Sequence, residues 1–84
     1  MQNAPVITPA QIRAARGLMD WSRQRLSTES GVALSTLADY ENDRTKSMLS
    51  VNMGRIISAF ERHGVVFTGS LGVTFKKGVG AENA

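Results

Sequence analysis

A chain of 84 residues has room for one small domain and no second core. Its 42% hydrophobic residues suffice for a modest core, and the absence of cysteine excludes a disulfide framework or a thiolate metal site. The net charge of +3 permits a nucleic-acid partner without requiring one.

Residues 1–7 read as a flexible tail. Met1-Gln2-Asn3-Ala4-Pro5 lacks the charged and apolar regions of a signal peptide. No apolar run approaches the roughly 20 residues that a membrane span needs. A cytoplasmic protein with no membrane partner is therefore expected. Thr8-Pro9-Ala10-Gln11 is a helix start: Thr8 can cap, Pro9 suits the first helical position, and Gln11 stands where a capping box wants its amide. Ile7 and Ile12 occupy the staple positions. The first helix then runs to about Met19, with Ile12, Ala15, Leu18 and Met19 on its apolar face. Trp21 follows as a core plug.

Ser22 caps a second helix, about Arg23 to Ser30, whose apolar residue is Leu26. Gly31-Val32 interrupts the pattern, with Gly31 suited to positive φ. A third helix, about Leu34 to Glu41, places Leu37 and Tyr40 on one face. Ala33 stands where a capping Ser or Thr is expected, which forgoes roughly 1 kcal/mol. Two short helices joined at a glycine form a helix-turn-helix, whose second helix can enter the DNA major groove. Asn42 to Ser47 is a polar loop, and Met48-Leu49 suits a short turn. A fourth helix, about Val51 to His63, carries Met53, Ile56, Ile57 and Phe60 at helical spacing and stops at Gly64. His63, the single histidine, favours the helix dipole there.

Beyond Gly64 the period alternates. Val65 and Phe67, then Leu71, Val73 and Phe75, flank Thr68-Gly69-Ser70 as a β-hairpin. An isolated hairpin is marginal in water, so this one must pack on the helices or pair with another chain. Trp21, Phe60, Phe67 and Phe75 read as core rather than as a stacking platform. Residues 76–84 read as a second flexible tail. The fold class is mainly α: a four- to five-helix domain over 8–75 with a small C-terminal β-hairpin at about 65–75.

Trp21-Ser22, Leu26, Gly31-Val32, Leu37 and Tyr40-Glu41-Asn42, with the exit Asp43-Arg44-Thr45-Lys46, resemble the lambda-repressor-like (XRE or Cro-type) helix-turn-helix regulators of bacteria and phages. The resemblance covers about Thr8 to Phe75, and Gly64-Val65-Val66-Phe67 before a hairpin is similar to a subgroup with a C-terminal β-extension. Ser27 and Ser30 stand where the family more often has alanine. By position, the resemblance implies that Leu34, Ser35 and Asp39 meet base edges. Leu34 would contact a thymine methyl, Ser35 would bond several bases, and Asp39 would accept from cytosine N4. It places Arg23 at a phosphate beside the start of the second helix, the alternative being a solvated arginine, with Gln24 as its neighbour. Arg44, Thr45 and Lys46 match the phosphate-contacting loop. Asn42 holds that loop or touches a phosphate, and Thr36 meets a phosphate or solvent.

No Arg, Lys, Gln or Asn in the third helix supplies the common bidentate contacts, and phosphates repel Asp39. Arg13 and Arg16, on the first helix, read as a solvated face, the alternative being added electrostatic attraction for DNA, and Glu41 as a cap or an internal pair. The implied function is a sequence-specific DNA-binding transcriptional regulator, a repressor or autoregulator. It would bind an inverted-repeat operator in double-stranded DNA as a homodimer, through the hairpin edge or the fourth helix. The alternative is a protein-binding helix-turn-helix module, an antitoxin or antiactivator, suggested by apolar Leu34 and acidic Asp39. An enzyme is not expected, because paired carboxylates and a glycine-rich phosphate cradle are both missing. Neither cofactor nor metal is expected.

Overall fold

The computed structural model describes residues 6–76. They form α1 (Pro9–Met19), α2 (Arg23–Ser30), α3 (Leu34–Glu41), α4 (Ser50–Glu61) and an antiparallel hairpin of β1 (Val65–Thr68) and β2 (Gly72–Phe75). This is the mainly helical class with a C-terminal hairpin that the sequence predicts. Of the tails expected at 1–7 and 76–84, residues 1–5 and 77–84 lie outside the described residues.

The helix starts follow their capping residues. Thr8 Oγ1 accepts from Gln11 N at 3.1 Å, and Gln11 Oε1 accepts from Thr8 N at 2.9 Å, a complete capping box. Ser22 Oγ accepts from Arg25 N at 3.0 Å. Ala33 leaves α3 with no side-chain cap. Ile7 is buried and its carbonyl accepts from the Tyr40 hydroxyl at 2.8 Å, so the segment read as a tail ends in the core. Burial, then the charge of Asp43, pushes the Tyr40 hydroxyl pKa up.

Ile12, Leu26, Leu37, Ile56, Phe60 and Val65 are fully buried, so every helix and the hairpin contribute to one core. Phe60 is its aromatic hinge. It stacks on Trp21 with centroids 5.3 Å apart and meets Phe67 edge-on at 5.6 Å. Trp21 is thus the expected plug. The C-terminal ends of α2 and α4 are tied by Glu29: its carboxylate accepts from Arg25 Nε at 2.9 Å and lies 3.2 Å from His63 Nε2, while its carbonyl accepts from Arg62 at 2.7 Å. The Arg25 hydrogen bond, then that of His63, holds the Glu29 carboxyl below its ordinary range.

Four expectations need correction. Leu18 is 42% exposed, because a step of about 100° per residue carries it off the stripe formed by Ile12, Ala15 and Met19. The fourth helix covers Ser50–Glu61 instead of 51–63, its end turning through His63 to Gly64 at φ 88. Leu71 belongs to the turn and is 80% exposed. Strand pairing ends at Thr68↔Gly72, where a Cβ on Gly72 would meet Thr68 Oγ1 at 2.0 Å. Phe75, read as core, lies at the outer end of β2 opposite Val65 and is 37% exposed, so it edges the core without entering it.

The hairpin packs on the helices through Gln11. This glutamine is fully buried, and its Nε2 donates to Gly69 O at 3.1 Å and Gly72 O at 2.9 Å. Thr8 Oγ1 adds a bond to Ser70 O at 3.3 Å. A capping residue therefore also latches a turn some 60 residues away. Gln11→Leu removes both part-buried bonds to the turn and the return bond of the capping box, and should cost about 2 kcal/mol in urea unfolding, since each such bond contributes roughly 0.5–1.5 kcal/mol net. Hairpin amides should exchange faster than those of α3, and an unchanged unfolding midpoint would contradict the latch.

Candidate nucleic-acid interface

The elbow between α2 and α3 is built from small polar residues. Gly31 takes φ 77, and its N–H donates to Ser27 O at 2.9 Å. Ser27 Oγ donates to Val32 O at 2.7 Å, and Val32 N donates to Ser30 Oγ at 3.1 Å. The two serines that depart from the family's usual alanines therefore hydrogen-bond the turn. Leu26, Val32 and Leu37 fill its inner angle.

This elbow divides α3 lengthwise. Leu37, Tyr40 and Glu41 are buried, whereas Leu34 and Ser35 are exposed and Thr36 and Asp39 are half-buried. The helix therefore presents Leu34, Ser35, Thr36 and Asp39 away from the core, together on one element. Asn42, Arg44 and Lys46 follow as exposed residues, and half-buried Thr45 donates its hydroxyl to Ser47 O at 3.2 Å. Asp43 takes φ 59, which turns the chain out of the helix, and Arg44 N donates to Asp39 O at 2.8 Å. The Arg44 guanidinium lies 3.6 Å from the Asp39 carboxylate. The acidic group on this face thus has a cation beside it, although the Arg44 side chain is 70% exposed and that of Asp39 51%, and such pairs contribute little to stability. Gln24 is exposed on α2.

The arginines of α1 are the main surprise. Expected as a solvated face, they converge on Glu41, whose carboxylate is completely buried. Arg16 reaches Glu41 Oε1 from Nη2 at 2.7 Å, and its Nε lies 3.2 Å from both oxygens. Arg16 Nη1 also donates to Trp21 O at 3.1 Å, and Arg13 Nη1 donates to the Glu41 carbonyl while its side chain stays exposed. Glu41 is the internal pair that the sequence suggested. Its partner, 25 residues away, carries no local signal.

Arg23 joins the same cluster. Its Nη2 lies 3.5 Å from Glu41 Oε1, its side chain is 31% exposed, and its Nε is buried with no hydrogen-bond partner among the described residues. Neither of the two readings from sequence anticipated this contact. It brings Arg23 beside the C-terminal end of α3, next to the loop that carries Arg44 and Lys46.

An outward helix held by a tight turn, followed by a basic exit loop, defines a helix-turn-helix DNA-binding domain. The helix-turn-helix family model matches residues 12–60, from α1 to the end of α4. The chain belongs to the XRE-type, lambda repressor/Cro-like helix-turn-helix family and is a DNA-binding regulator. The hairpin lies outside the matched residues. No curated protein matches the chain. No helix among the described residues is long and apolar enough to cross a membrane.

Removing one partner of a buried ion pair strands the other, at a cost of about 3 kcal/mol or more. Arg16→Met should lower the unfolding free energy by that amount in denaturant titration. Arg16→Met combined with Glu41→Met should recover much of it, because neither member of the pair is then left without the other, and Arg23, already 31% exposed, can turn to solvent. A single variant as stable as the parent would show that the pair does not organise the junction.

Proposed function

We propose that this protein is a sequence-specific transcriptional regulator of the cytoplasm, a repressor or autoregulator, that occupies an inverted-repeat operator as a homodimer. The observation that carries the reading is the division of α3: Leu34, Ser35 and Asp39 face outward on the element whose exit loop exposes Arg44 and Lys46. Arg23, Gln24, Thr36, Asn42, Arg44, Thr45 and Lys46 hold backbone phosphates and fix the register. Leu34 packs on a thymine methyl, Ser35 bonds a base edge, and Asp39 accepts from cytosine N4. The Arg44 guanidinium beside Asp39 offsets the repulsion between that carboxylate and the phosphates.

One short reading helix gives limited affinity and specificity. Two copies on half-sites about one helical turn apart supply the rest. The two-stranded sheet has an edge suited to strand pairing across a two-fold axis, and the outer face of α4 is the other surface for that contact.

A second reading is a protein-binding use of the same face, as in an antitoxin or antiactivator. It is favoured by the apolar, 41% exposed Leu34 beside acidic Asp39, on a helix without a bidentate base reader.

Selection from random-sequence duplexes at stated salt separates the two. The regulator reading predicts a palindromic consensus. Arg44→Ala and Lys46→Ala should weaken binding to every duplex and each lower the salt slope by about 1, while Ser35→Ala and Asp39→Asn should change the preferred bases. Recovery of no duplex, together with capture of a single protein through Leu34 and Asp39, would overturn it.

A further inference from the structure

Glu41 carries one negative charge and is approached by two guanidinium groups. Arg16 already engages both carboxylate oxygens, at 2.7 and 3.2 Å, and is 19% exposed. Arg23 arrives second, with a single long contact of 3.5 Å to an oxygen that Arg16 already uses. Its Nε–H has no acceptor among the described residues. The side chain is therefore held by a carboxylate that is already satisfied, with one donor unused and part of its surface open to solvent. Nothing else among the described residues offers Arg23 a better acceptor.

We propose that Arg23 is held in reserve: Glu41 positions its guanidinium in the free protein, and the docking duplex draws it outward onto a backbone phosphate as a two-pronged clamp. This deepens the regulator reading and rests on it. Glu41 is the positioning residue, acting through Arg23 without touching DNA. The handover is favourable because a phosphate brings a full negative charge and two oxygens in the plane of the guanidinium fork, matching Nε–H and one Nη–H together. Glu41 loses only its longest contact when Arg23 leaves, since Arg16 still holds both oxygens. Lysine is a poor replacement, because a single ammonium can neither fill the Nε position nor bond in two places.

Glu41→Gln is the obvious variant, but it also disturbs Arg16, so the test uses the unaltered chain together with changes at Arg23. The chain is titrated with the duplex that random-sequence selection yields, and the arginine Nε–H signals are followed by nitrogen NMR. The proposal predicts that the Arg23 Nε–H signal shifts and acquires a scalar coupling to a DNA phosphorus. The Arg16 signal should keep its position. Arg23→Lys should weaken binding on the order of tenfold, and Arg23→Met should do so at least as strongly while lowering the salt slope by about 1. An Arg23 signal that does not move on saturation, or an Arg23→Lys variant that binds as tightly as the parent, would overturn the handover. Arg44→Ala and Lys46→Ala are measured on the same duplex. If they weaken binding while Arg23 is silent, only the handover falls. If no duplex binds at all, the handover falls together with the regulator reading.

Discussion

A fully buried carboxylate organises this small domain. Glu41 ends α3 with no exposure to water, which is tenable only because Arg16 brings a cation and three short contacts into the same space. The pair joins α1 to α3, and Arg16 also holds the Trp21 carbonyl at the entrance to α2. Arg13 occupies the Glu41 carbonyl at the helix end, where a cation suits the dipole. Such a pair adds little net stability compared with apolar packing; its contribution is to tie the end of α3 to α1 through directional contacts. The end of α3, and with it the start of the Asn42–Lys46 loop, is therefore set by an interaction in the interior.

The elbow at Gly31 and the junction at Glu41 act on opposite ends of the same eight-residue helix. At its start, Ser27 donating to the Val32 carbonyl and Ser30 accepting from the Val32 amide hold the turn without help from a cap at Ala33. At its end, the arginines of α1 and α2 hold Glu41. Between them, Leu37 and Tyr40 face the core, which leaves Leu34, Ser35 and Asp39 on the outside. A helix this short would not be stable alone, so its outward face exists because tertiary contacts fix both ends. The hairpin joins the same core through Val65 and is fastened by Gln11 and by the contact of Phe67 with Phe60.

Local chemistry was legible and distant chemistry was not. Thr8, Ser22 and Gly31 mark helix ends within a few residues of themselves, so α2 and α3 appear in the structure with the bounds expected for them. The outward set Leu34, Ser35, Asp39 was named by the resemblance, position by position; helical period alone would set Leu34 close to the buried side, about 20° from Glu41. By contrast, Arg16 is drawn inward by a partner 25 residues away, and nothing near it in the chain distinguishes it from a solvated arginine. Gln11 showed its capping role but not its bonds to Gly69 and Gly72. Leu71 was misread because alternation alone does not say where a turn ends, whereas the crowding of Gly72 against Thr68 does. The contact of Arg23 with Glu41 depends on the angle between α2 and α3, which no periodicity encodes.

The most direct test of this account is backbone amide shift mapping of the intact chain during titration with its selected duplex. The account predicts that the largest changes fall on Arg23 and Gln24, on Leu34 to Asp39 and on Asn42 to Lys46, and that the Gln11–Gly72 contact region stays still. Changes concentrated on the hairpin or on α4, with α3 and its exit loop unmoved, would contradict it.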